Sequence, residues 1–114
     1  MKDRKYKMFI EDILASMENI ENYIKDLEFE EFEADKMRID AVIRNLEVRG
    51  EVAKNIPEEI RKKYPNIPWK KMIGLRNITI HEYFGVDLSI IWEIISRNIP
   101  ETKPEIVKVL EKLE

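Results

Sequence analysis

Apolar residues recur at three- and four-residue intervals along almost the whole chain. From Tyr6 the series Phe9, Ile10, Ile13, Met17, Ile20, Ile24 and Leu27 marks a single face. That is the repeat of an amphipathic helix, and it predicts a first helix from about residue 3 to about residue 26. An acidic stretch with Phe29 and Phe32 follows as a connector or short extra turn. A second long helix carries Met37, Ile39, Val42, Ile43, Leu46, Val52, Ala53 and Ile56. It ends before Pro57, because proline disfavours helical geometry in the residue that precedes it. Pro57-Glu58-Glu59-Ile60 reads as a short helix with proline in its first turn. Pro65 and Pro68 bracket a turn. A third main helix runs from near Trp69 to Tyr83, with Gly85 as its C-terminal stop. Asp87 caps a fourth helix holding Leu88, Ile90, Ile91, Trp92, Ile94 and Ile95. Thr102-Lys103-Pro104-Glu105 has the capping-box spacing that starts a last short helix to about Leu113. No alternating strand pattern competes. The expected fold is all-α, an up-and-down bundle of four to five helices forming one domain over residues 1–114.

Composition narrows the chemistry. There are no cysteines, which excludes disulfides and thiolate metal sites. No segment approaches the roughly 20 apolar residues needed to span a bilayer. Met1-Lys2-Asp3-Arg4-Lys5 leads into an amphipathic helix rather than an apolar signal core. A cytoplasmic protein that does not enter membranes is expected. The net charge of −3 conceals 38% charged residues, a usage that resembles thermophile proteins. Mild acidity argues against a nucleic-acid binder that is basic all round, but not against a local basic cleft. Arg61-Lys62-Lys63, Lys70-Lys71 and Arg76 cluster in the central third, while Glu28, Glu30, Glu31 and Glu33 crowd one turn. A solvated face is the simplest account of each run taken alone. The acidic residues fall at solvated-face spacings, so neither a metal nor a cofactor is expected.

Gly50 and Gly74 interrupt otherwise good helices, at a cost of about 1 kcal/mol each relative to alanine. Tight helix packing is the expected reason at Gly50. At Gly74, one turn before the polar cluster, packing and the approach of a ligand or second backbone are equally good accounts.

That cluster is Arg76-Asn77-Ile78-Thr79-Ile80-His81-Glu82-Tyr83. It holds the single histidine of the chain, the side chain best suited to move protons near neutral pH. It also holds an arginine, whose planar fork of fixed charge suits phosphate. At about 100° per residue, Arg76 and Tyr83 share one helix face, Asn77 and His81 share a neighbouring stripe, and Arg76 and His81 diverge by roughly 140°. Either the helix ends or distorts near His81, or a second subunit completes the site. The chemistry fits metal-independent RNA cleavage. His81 would take the proton from a ribose 2′-hydroxyl or supply one to the leaving 5′-oxygen. Arg76 would hold the phosphate and stabilise developing charge, and Asn77 would orient substrate or imidazole. Tyr83 is equally a helix-end ring that packs with its hydroxyl exposed. Trp69 and Trp92 read as core or subunit-interface residues.

Arg76-Asn77-x-x-x-His81-x-Tyr83 resembles the R-X4-H-X-Y motif of the HEPN superfamily, particularly its HepT-like toxins. The likeness extends to Asp40-Ala41-Val42-Ile43-Arg44-Asn45-Leu46-Glu47 with Gly50-Glu51, to Trp69 and Met72 before Gly74-Leu75, and to Phe84-Gly85-Val86-Asp87 followed by Ile91-Trp92. The resemblance implies a helical homodimer with a composite ribonuclease site in the dimer cleft, acting on RNA. It also implies a toxin paired with an MNT-type nucleotidyltransferase antitoxin, which silences it by transferring AMP onto Tyr83. Two other readings compete. One is a non-catalytic substrate- or nucleotide-binding partner of a minimal nucleotidyltransferase, and the other a purely structural dimerisation module.

Overall fold

A computed structural model describes residues 2–81 and 87–113, with side chains placed for residues 5–79 and 87–113. Helix α1 (Lys2–Ile24) buries Ile10, Ile13, Met17 and Ile20 completely, the stripe its periodicity marks out. It ends at Asp26, which adopts the left-handed conformation (φ 63°); the short polar side chain of Asp tolerates that region. Helix α2 (Phe29–Glu33) is one turn, closed at its start by the Glu28 N–H donating to the Glu31 carboxylate at 2.9 Å. Glu28, Glu30 and Glu31 of the acidic run thus lie at the positive start of the turn, and Glu33 at its end.

Asp35 caps α3 (Lys36–Lys54) by accepting from the Arg38 N–H at 3.1 Å. Short α4 (Glu58–Lys63) follows Pro57. α5 (Trp69–His81) begins after Pro68, with the Trp69 indole N–H donating to the Tyr64 carbonyl at 3.1 Å. Asp87 caps α6 (Leu88–Glu93), accepting from the Ser89 N–H at 2.9 Å. A π-helical turn, Ile94–Asn98, then leads without a break into α7 (Ile99–Lys112).

In this all-α bundle α1 packs between α3 and α7, and α3 between α1 and α5. α2 bridges α3 and α6, where Trp92 meets Phe32 and Phe29 with ring centroids 5.3 and 6.1 Å away. Trp69 is buried and Trp92 half-buried, both as packing residues. Among the described residues no helix is long and apolar enough to cross a membrane.

The expected start of the last helix at Thr102 is wrong. Thr102-Lys103-Pro104-Glu105 lies inside α7, which begins three residues earlier. Proline inside a helix costs about 3 kcal/mol. Against that, Ile95, Ile99, Ile106 and Val109 form one continuous stripe that is 0–2% exposed, and burying these four side chains outweighs the cost of the proline. The π turn helps at Pro100: the Ile99 N–H reaches back to the Ile94 carbonyl, and this wider turn lies just where a proline ring would press on the preceding coil.

Candidate active site and family membership

α3 and α5 meet at Gly50. A Cβ there would collide with the Cβ of Arg76 and come within 2.6 Å of the Met72 carbonyl oxygen. Only glycine lets the two backbones approach this closely, so the packing account of Gly50 holds. The approach fixes Arg76, which is four-fifths buried against α3. Its Nη2 lies 2.7 Å from a carboxylate oxygen of Glu51, the residue after the glycine. Its Nη1 donates to the Asn77 side-chain oxygen at 2.9 Å. The guanidinium is therefore oriented from two directions, one across the seam and one along its own helix. It borders an open cleft of about 270 Å³ shared with Arg44, Glu47, Val48 and Glu51.

The other side of α5 is different. Among the described residues, a Cβ on Gly74 would meet nothing within 4 Å. Asn77 and Ile78 are exposed, Ile78 by half its surface. Helical geometry puts the backbone position of His81, seven residues on, within about 20° of Gly74 and on this open face. α5 is helical from Trp69 through His81, so the expected divergence of about 140° from Arg76 applies to the described helix. Thr79, buried, secures the last turn by donating its hydroxyl hydrogen to the Arg76 carbonyl at 3.0 Å. Tyr83 and Gly85 lie outside the described residues.

The structure thus brings Arg76 and Asn77 together, and it adds Glu51, whose role the residue pattern alone does not reveal. The available signal was its place directly after a mid-helix glycine: the closest approach of two helices puts neighbouring side chains within reach of the opposite helix. The basic runs do not gather into one cleft. Lys70 is exposed on the open side of α5, Lys71 borders a different cavity, and Lys62 pairs with Glu58 on α4.

A profile of HepT-like ribonucleases matches residues 13–109, nearly the whole helical assembly. The chain belongs to the HepT-like ribonuclease family. Membership places it among ribonucleases. It is 48% identical over 114 residues to a candidate RNase of Methanocaldococcus jannaschii, covering 100% of this chain and 98% of that one. A candidate RNase of Caldanaerobacter subterraneus is 41% identical over 104 residues, 91% of this chain and 93% of the other. A protein of Thermococcus cleftensis bearing the name ribonuclease HepT, also as a candidate, is 41% identical over 106 residues, 93% and 96% of the two chains. No solved structure matches the chain.

Proposed function

We propose that this HepT-like protein is a metal-independent endoribonuclease whose active site is completed by a second copy of the chain. The observation that carries the reading is the division of α5 into two sides. Arg76 is locked into the α3 seam beside a cleft, while the His81 position shares the open face with Gly74, Asn77 and Ile78. One helix cannot turn both groups to the same phosphate. An antiparallel copy laid along the open face brings the histidine of one chain toward the arginine of the other, and two-fold dimers are the commonest small assemblies. Gly74, which no neighbour among the described residues requires, is then explained by close approach of the second α5.

In this reading the ribose 2′-oxygen attacks the adjacent phosphorus and the bond to the 5′-oxygen breaks. The products are a 2′,3′-cyclic phosphate and a 5′-hydroxyl. His81 takes the 2′-proton or, protonated, supplies the one needed by the leaving oxygen. Arg76 neutralises the phosphoryl oxygens through N–H groups that Glu51 and Asn77 leave free. Asn77 and Glu51 hold that fork in place. The chain acts in the cytoplasm as the toxin of a pair with an MNT-type nucleotidyltransferase. AMP esterified to Tyr83 would add negative charge beside the phosphate site and repel RNA.

The test uses purified, unmodified protein with total RNA in EDTA. The parent should leave 2′,3′-cyclic ends, and His81→Ala should leave RNA intact while remaining the same oligomer. Mixed dimers of Arg76→Ala and His81→Ala should regain one working site of two. Equal cleavage by parent and His81→Ala would remove the mechanism, and inactive mixed dimers would remove the arginine–histidine pairing between chains.

A further inference from the structure

Arg49 lies on the other flank of the glycine seam from Glu51. It is 5% exposed, in the middle of α3. No hydrogen bond or ion pair joins it to any described residue, and its Nε is sealed from solvent with no acceptor. Arg76 and Lys103, also largely buried, each have a carboxylate partner, Glu51 at 2.7 Å and Glu21 at 2.8 Å, whereas half-buried Arg61 shares with Arg49 a sealed Nε without an acceptor. A buried guanidinium without a counterion is costly, because burial favours its neutral form. Here burial pulls its pKa down to about 10, which leaves it charged at neutral pH.

Arg49 borders a cavity of about 390 Å³ between α3, the start of α5, the π turn and α7. That volume falls in the range of small-molecule sites. Met72, Leu75, Pro68 and Ile94 give it apolar walls. Both ends of the π turn, Ile94 and Asn98, reach the cavity, and π turns within helices occur frequently at functional sites. Charge at the rim is mixed. Lys71 lies on one side; Glu101 and Glu105 lie on the other, Glu105 being paired with Lys108 at 3.3 Å. Glu101 and Glu105 offset Arg49 and Lys71, so the lining has no net positive charge to hold a phosphate or nucleotide, which carries more than one negative charge. A lining of both signs suits a molecule with one anionic end and one cationic end.

We propose that this cavity binds a small zwitterion, an apolar α-amino acid in its simplest form, with its carboxylate on Arg49. The ammonium group faces Glu101 and Glu105, and the side chain lies on Met72, Leu75 and Ile94. Asn66, Asn98 and Thr102 supply neutral hydrogen-bonding groups around it. The site is separate from the Arg76 cleft, and its occupancy requires no ribonuclease activity.

Binding is measured by calorimetry and thermal shift on the full chain with leucine, methionine and phenylalanine as probes at millimolar concentrations. Leucinamide, 4-methylpentanoate and inorganic phosphate serve as controls lacking the carboxylate, lacking the ammonium, and exceeding a single charge. At least one amino acid should bind saturably, its amide should not, and 4-methylpentanoate and phosphate should bind more weakly. Arg49→Met, which keeps the stem packed, should weaken binding about tenfold or more, and Glu101→Gln should reduce the preference for leucine over 4-methylpentanoate. Absence of saturable binding by all three amino acids would overturn the proposal. So would unchanged affinity in folded Arg49→Met, or phosphate binding more tightly than the amino acids.

Discussion

Arg76 is held from two sides, by Glu51 across the seam and by Asn77 on its own helix. The phosphate-binding role proposed for Arg76 depends on a fork that is already aimed, since misplacement by about 1 Å can cost on the order of a hundredfold in rate. Glu51→Gln keeps the shape and removes the charge. It should lower the single-turnover rate of RNA cleavage by about 10–100-fold with a smaller change in KM; an unchanged rate would show that Asn77 alone suffices to orient the fork. The roles proposed for Arg76 and Asn77 start from sequence because their residue types suggest the chemistry, and the structure adds only that the two side chains meet. Glu51 is one acidic residue among many until the helix crossing is known. Arg49 is harder still, because α3 holds several cations and nothing local distinguishes the one that faces inward.

At the scale of elements, two mid-helix glycines that look alike in sequence have opposite surroundings. Gly50→Ala drives a methyl group into Arg76 and the Met72 backbone. Overpacking costs about 1–3 kcal/mol, and the gain in helix propensity, about 1 kcal/mol, does not offset a clash with a backbone oxygen. The variant should therefore be less stable in urea and lose activity through displacement of Arg76. Gly74→Ala meets open space among the described residues and should stabilise an isolated protomer by about 0.5–1 kcal/mol. If α5 packs on a second α5, the same change should weaken the dimer, as sedimentation would detect. Most element boundaries follow from apolar spacing and from the capping residue Asp87, while the cap at Asp35 emerges only in the structure. The run from 88 to 112 does not, because local signals at Thr102 and Pro104 favour a break that burial of Ile99 and Ile106 overrides.

For the whole molecule, Arg49 is a stability cost carried in the interior. Replacing a buried charge with an apolar side chain of similar length often stabilises by about 1–4 kcal/mol, so Arg49→Met should melt at higher temperature than the parent at neutral pH. The pH dependence has a definite sign. Folding lowers the pKa of Arg49 to about 10, so above that pH the unfolded chain holds more protons than the folded one. Parental stability relative to the variant then rises with pH. The advantage of Arg49→Met should be level up to about pH 9 and narrow above pH 10; paired urea melts at several pH values check this, because other titrating groups cancel in the difference. A gap that is constant through pH 11 would mean that the guanidinium is solvated in the folded protein.

The π turn at Ile94–Asn98 sets the angular phase of everything after it. One residue more or fewer in a helix rotates the following segment by about 100° and moves it by about 1.5 Å. Shortening the coil to an ordinary α-helix would carry Glu101 and Glu105 away from Arg49 and turn Ile106 and Val109 off the core. The wall of the large cavity is therefore encoded by chain length as well as by side-chain identity. A relative with identical flanking residues but one position fewer between Trp92 and Ile99 would keep the Gly50 seam and present a differently shaped surface behind it.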